Sequence, residues 1–304
     1  MLTGLLNKLW LKSFNKEKYL NLKNQKSLKN KIKFYNDNII GKLSKIENSL
    51  IKNKELSFSH SGHLGDLIYS LPLVKELAKK YICKFYVKIN KKIDNYDKNH
   101  PSGNVMINDR AGKLVLPLLQ NQNYISSAEI YKDEKIDIDL DIFREIPINI
   151  NFHSVRWYMH LTGTHFDMSQ QYLDVDPHES VKNKIVIMRS PRYRNSYINY
   201  SFLKNIDNIV CVGLLSEYED LKKDIPNLEF YDCKDFLELA AIIKSSKFFI
   251  GNLCFAYSIA EGLKIPRLLE ASPDFPVVFP TGKKGYDFYH QIHFEKLFKS
   301  LLIS

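Results

Sequence analysis

The stretch "SFSHSGHLGDLIYSLPLVKEL", residues 57–77, holds two histidines, two glycines and an aspartate between a β-type run and a helical pattern. The spacing predicts a strand ending near Ser59 and a helix beginning near Asp66. Gly62 and Gly65 would let the backbone approach a ligand, and the first N–H groups of the helix favour negative charge there. Ser61, Gly62, His63 and Gly65 are therefore candidate loop contacts to an acceptor. Asp66 has two readings: the N-cap of the helix, or a carboxylate that takes the proton from an attacking hydroxyl. In the second, the positive helix end would keep it ionised and lower its basicity. His60 and His63 have HxxH spacing but lie in a loop with no evident third ligand, so a hydrogen bond to a phosphate or acceptor is expected instead of a metal.

A second constellation lies in the other half of the chain. "RSPRYRNSY" puts Arg189, Arg192 and Arg194 directly after the strand-like "KIVIM". Guanidinium groups bind a diphosphate through paired hydrogen bonds, and three arginines in six residues stand out in a chain that otherwise uses Lys. "FFIGNLCFAYSIAEGLKIPRLLE" reads as strand, glycine turn, helix and strand. Gly251 and the start of that helix would hold a further phosphate, and Glu270, or Glu261 within the helix, would accept hydrogen bonds from a ribose or sugar. An intrahelical or surface role for Glu261 is equally open. "IDIDLDIF" contains Asp-x-Asp, but its period-two alternation is that of a half-buried strand, so no metal is assigned to it.

These residues need elements to position them. After Glu55, strand-like and helical runs alternate: "LSFSHSG", "DLIYSLPLVKELAKKY", "CKFYVKIN", a short helix and strand in "KLVLPLLQNQNYISSAEIY", and the helical "SVRWYMHLTG". The second half continues with "KIVIM", "NIVCVGL", "LEFYD", "KFFIGN" and "PRLLEAS" as strands. Helices lie between most of them, and "HFEKLFKSLLI" closes the chain. Pro72 falls about one turn into its helix, as a kink or an early helical turn. Such alternation predicts an α/β protein with parallel sheets covered by helices. Ligands would bind at the carboxyl ends of the strands. The polar, turn-rich "DVDPHESVKN" marks a boundary, which divides the chain into 1–55, 56–178 and 179–304.

Composition narrows the function. The chain has 304 residues, 44% hydrophobic and 26% charged, with a net charge of +10. Residues 1–55 hold 13 Lys and 4 Asp or Glu, a net +9, which leaves only +1 for the remaining 249. A near-neutral body argues against a nucleic-acid partner. "LLNKLWLKSF" spaces Leu5, Leu6, Leu9, Trp10 and Phe14 near helical periodicity around Lys8 and Lys12. Residues 1–55 read either as a basic helix lying on an anionic membrane surface or as a solvated helical extension. No run has the length of a membrane span and no secretory signal is evident. The four cysteines, Cys83, Cys211, Cys233 and Cys254, match no zinc pattern and read as reduced thiols of a cytoplasmic protein.

"SHSGHLGDLIYSLPLVKELAKK" and "DFLELAAIIKSSKFFIGNLCFAYSIAEGLKIPRLLEAS" resemble the opening and the C-terminal core of glycosyltransferase family 9, the ADP-heptose:lipopolysaccharide heptosyltransferases. The resemblance covers roughly residues 56–290 and is weakest in the middle. It implies a GT-B fold, two Rossmann-like parallel-sheet domains facing a cleft, here preceded by a helical extension. It also implies inverting, metal-independent sugar transfer from a nucleotide sugar, with no cofactor, to a lipopolysaccharide or other glycan or glycolipid acceptor. The expected location is the cytoplasm, and in the membrane reading of residues 1–55 the extension holds the protein on the inner membrane leaflet. Asp66 matches the family's Gly-Asp aspartate, a proposed base. The Arg189–Arg194 loop matches its basic phosphate-binding position. One segment departs: where the family has Asp-x-Gly-x-x-His on the donor side, this chain has Asn252-Leu-Cys-Phe-Ala-Tyr257. That departure leaves open a non-catalytic nucleotide-sugar-binding protein on the same scaffold. A GT-B-like sugar epimerase is a further alternative.

Overall fold

The computed structural model describes residues 10–93, 102–146 and 153–303. Two helices lead the chain: α1 (Lys16–Asn38), capped by the Asn15 side chain, and α2 (Ile40–Lys52). α1 buries no residue, whereas α2 buries Ile46 and leans Leu43 and Leu50 on the core. Ser49 and Asn53 at the end of α2 donate to Asp137, and Lys42 pairs with Glu145. The basic extension is thus two unlike parts: α1 is solvated and α2 is tied to the body. Leu5, Leu6, Lys8 and Leu9 of the expected amphipathic stretch lie outside the described residues. Trp10 and Phe14 are exposed.

The first sheet is parallel, in the order β3-β2-β1-β4. Its strands are β1 (Glu55–His60), β2 (Ile82–Val87), β3 (Ser127–Ile130) and β4 (Ile138–Asp139). Between them run α3 (Leu64–Leu77) and α4 (Asp109–Gln120), and α5 (Ser154–Thr162) follows. Every residue of α3 from Leu67 to Val74 is buried, because sheet and helices enclose it on all sides. Pro72 lies inside α3, and the helix continues past it to Leu77.

The strand expected over "IDIDLDIF" shrinks to β4. Only Ile138 and Asp139 pair with β1, opposite Phe58 and Ser59. The Asp139 carboxylate then accepts the Asp141 N–H at 3.1 Å. This cap turns Leu140–Arg144 into a 3-10 helix, since a short acidic side chain competes with the ladder for backbone donors.

The second sheet is also parallel, in the order β10-β9-β8-β5-β6-β7. It comprises β5 (Ile185–Met188), β6 (Ile209–Cys211), β7 (Glu229–Phe230), β8 (Phe248–Asn252), β9 (Arg267–Glu270) and β10 (Gly285–Phe288). α6 (Leu215–Lys222), α7 (Phe236–Ser245) and α8 (Phe255–Leu263) alternate with the strands, and α9 (Gln291–Leu302) closes the chain. Edge strand β10 was not expected from sequence, because three of its four residues are partly or fully exposed and it lacks a hydrophobic run.

One apolar core joins the two sheets. α3 packs on α8 and α4 on α7, so Phe58 and Phe85 of the first sheet share a cluster with Val186 and Phe249 of the second. A smaller cluster on the far face of the second sheet gathers Phe248, Phe294 and Phe298. The four cysteines are free thiols, each pushed up to about 12 by burial.

Candidate active site

The loop after β1 carries the first wall. His60 is fully buried. Its Nδ1 accepts the Gly62 N–H at 2.9 Å, so the proton sits on Nε2, 2.8 Å from the Tyr158 hydroxyl. Burial holds its pKa at about 3. The ligand contact expected for His60 is therefore corrected: this neutral imidazole braces the loop. His63 is the N-cap of α3 and stays partly exposed. Burial, then Arg192 and Arg144, lower its pKa to about 4.

Ser61 is buried, and both its N–H and its hydroxyl donate to Asp141. It shapes the loop through these bonds. Gly62 is needed for a close approach, but by a side chain of this chain. A Cβ there would stand 1.8 Å from Nη2 of Arg144, an impossible contact. Gly65 lies where α3 crosses α8, and its Cβ would come 4.0 Å from Ser258 Oγ.

Asp66 is not the N-cap. It is the third residue of α3 and accepts from Arg144 Nη2 at 2.8 Å. Its side chain is 23% exposed, so one edge meets the cleft while the rest is enclosed. Burial raises its pKa, and Arg144 opposes the rise. The lowered basicity expected from the helix end is thus reversed. Desolvation disfavours the carboxylate more than the nearby charges favour it.

Arg144 also donates through Nη1 to Asp141 Oδ1 at 2.5 Å, so one guanidinium bridges two carboxylates. Burial works against the charge on Asp141. His60, the Ser61 hydroxyl, Arg144 and Lys91 outweigh it and hold the carboxyl at about 2. Neither Arg144 nor Asp141 was singled out from sequence. Both fall 75 or more residues after the loop they serve, in a segment whose alternation reads as a plain strand.

The second wall separates the three arginines. Arg189 turns inward. Its Nε and Nη2 each donate to Glu270 at 2.8 Å, and Nη2 reaches the Ile198 carbonyl at 3.1 Å. Glu270 is fully buried, and it also accepts from the Asn195 N–H at 2.7 Å and the Tyr200 hydroxyl at 2.9 Å. Arg189 and Glu270, expected at the donor, form a buried bidentate pair that holds the base of the loop. Arg194 donates to Asp220 at 2.6 Å and to the Ser190 and Arg189 carbonyls, and so folds the loop on itself. Arg192 is the member on the cleft side, since its charge bears on both His63 and Asp66 of the first wall.

Gly251 is a strand residue and not a turn. A Cβ on it would meet the Phe249 ring at 2.7 Å and the Met188 carbonyl at 3.0 Å, so the glycine serves strand packing. Asn252 is buried and clamps the arginine loop. It accepts the Ser190 N–H at 3.0 Å and donates to the Ser190 and Arg192 carbonyls at 3.0 and 2.6 Å. Glu261 is neither exposed nor limited to its own helix, since it binds Lys264, Arg267 and Thr281. Beyond the ends of β8–β10 lies a cavity lined in part by Leu253, Ser272, Phe275, Val278 and Phe279. The Ser272 hydroxyl is buried without a partner among the described residues. Tyr193 packs on Phe275 at 4.9 Å and under Arg192 at 5.0 Å, which joins the arginine loop to this cavity.

Among the described residues, no group of three or more His, Cys, Asp or Glu side chains is placed to hold a metal. No family model and no curated protein matches the sequence. The fold is more informative. Escherichia coli heptosyltransferase WaaC with ADP is similar at a TM-score of 0.55 and 8% identity, over 81% of this chain and 99% of that one. The same enzyme with ADP-2-deoxy-2-fluoro heptose gives 0.52 and 9%, over 77% and 92%. A glycosyl transferase of family 9 from Veillonella parvula DSM 2008 gives 0.51 and 11%, over 82% and 89%. The chain therefore has the two-sheet GT-B fold in the form that family 9 glycosyltransferases share.

Proposed function

We propose that this protein is an inverting, metal-independent glycosyltransferase that moves a sugar from a nucleoside-diphosphate donor to a hydroxyl of a glycan or glycolipid acceptor. Asp66 is the base. The observation that carries this is a partly exposed carboxylate at the loop after the first strand, with its pKa raised by burial and a guanidinium aligning it. The charge of Arg192 reaches it from the opposite wall, in a fold whose solved neighbours bind ADP or an ADP-heptose analogue. In one displacement the acceptor oxygen bonds to the anomeric carbon, the bond to the diphosphate oxygen breaks, and the hydroxyl proton passes to Asp66. Arg192 would neutralise the leaving diphosphate.

Lipopolysaccharide is the acceptor class favoured by the heptosyltransferase neighbours, and heptose is one candidate sugar. The location that fits is the cytoplasmic face of the inner membrane. α1 there presents seven lysines against Glu17 and Asp37, with Leu28, Ile32 and Tyr35 exposed. No helix among the described residues is long and apolar enough to cross a membrane.

The test is transfer by Asp66→Asn, scored by release of nucleoside diphosphate in the presence of acceptor. Turnover should fall about 10²–10⁴-fold with nucleotide-sugar affinity retained. Unchanged turnover removes Asp66 from the base role. A second reading, donor binding without transfer, is favoured by Asn252, which spends its side chain on the arginine loop where the family carries an acid. Binding with no turnover in the intact chain would support it.

A further inference from the structure

We infer that Arg144 and Asp141 are a positioning couple behind Asp66, in which Arg144 fixes the orientation of the base and Asp141 takes up the rest of the guanidinium's charge. This rests on the transferase reading of Asp66, but the geometry stands by itself. Arg144 spans the two carboxylates, at 2.8 Å to Asp66 and 2.5 Å to Asp141. It reaches them through the space where any residue but glycine at 62 would place a Cβ. The loop is therefore built around the guanidinium, and Gly62 is the gap it passes through.

The two carboxylates are in unlike settings. Asp141 is nearly buried and saturated. It accepts from the Ser61 N–H and hydroxyl, from Arg144 and from Lys91 at 3.5 Å. Asp66 accepts from Arg144 and keeps an open edge. A lone arginine beside Asp66 would orient it but would also strip it of basicity, as an opposite charge within a few ångströms does. With Asp141 ionised on its other side, the same arginine aligns Asp66 at a smaller loss of proton affinity. Environments that drive paired titratable groups apart mark the division of acid–base roles. The charged and titratable groups that bear on Asp66 are Arg144 and Asp141 from the 3-10 helix, Arg192 from the opposite wall and Tyr158 from α5.

The test is a carbon-13 NMR titration of the Asp66 carboxyl in the full chain, with no substrate present. Asp141→Asn should lower its midpoint. Arg144→Gln should raise it by about one unit or more, and Gly62→Ala, which displaces the guanidinium, should move it the same way. Opposite shifts from two neighbours in one cluster are not what general loosening produces. The couple is overturned if the midpoint stays put in both Asp141→Asn and Arg144→Gln, or moves the same way in both. Because no substrate is used, this failure is distinct from absence of sugar transfer. With transfer measured, the acidic limb of the kcat profile should follow the same two directions.

Discussion

At the residue scale, the loop after β1 is a set of side chains serving one carboxylate. His60 holds Gly62, Ser61 holds Asp141, Gly62 admits Arg144, and Arg144 holds Asp66. Keeping His60 neutral and buried has a cost in acid. The unfolded chain binds a proton on this side chain below its ordinary pKa of 6.5, whereas the folded chain does so only near 3. Between those values the unfolded state holds more protons, so stability falls as pH drops, by up to about 1.4 kcal/mol per pH unit for one such group. Urea unfolding at pH 6.5 and pH 4.5 should show this loss, and His60→Gln should make the slope shallower. An equal slope in the variant would refute the assignment. Asp66 was legible as a Gly-Asp pair between a strand and a helix. Its partner was not, because Arg144 is separated from it by 78 positions and only folding joins them. The arginine cluster misled in the opposite sense. Nothing in "RSPRYRNSY" reveals that Glu270, 81 positions on, captures the first arginine, or that Asp220 captures the third.

At the element scale, the alternation of strands and helices was legible because both periods are written in apolar residues. Two elements escaped for reasons that can be named. β10 is a mostly exposed edge strand without a hydrophobic run. β4 ends early because Asp139 caps the next turn. The extension illustrates a different limit: its charge reads from sequence, but its division into free α1 and anchored α2 depends on which face finds the core. Deleting residues 1–38 should therefore leave the urea midpoint of unfolding nearly unchanged while abolishing sedimentation with anionic vesicles. Deleting residues 1–52 should lower the midpoint, since the core loses Ile46 and Asp137 and Glu145 lose Ser49 and Lys42. Vesicle binding that survives the first deletion would reject the membrane role of α1.

At the scale of the whole molecule, two parallel sheets share one apolar core through helices packed on helices. α3 on α8 and α4 on α7 tie the loop after β1 to the second sheet. Asp66 at the start of α3 thereby comes within reach of the charge of Arg192 after β5, and the proposed displacement between two substrates needs such a shared position. In the proposed reading, this frame makes one site of two loops more than 120 positions apart. The account stands most directly on whether that site takes a nucleoside-diphosphate sugar. Calorimetric titration of the full chain with a panel of ADP-, UDP- and GDP-sugars measures it. The expected result is binding of at least one member, weakened about 10-fold or more by Arg192→Ala and preserved in Asp66→Asn. Binding of none, or binding indifferent to Arg192→Ala, would contradict it.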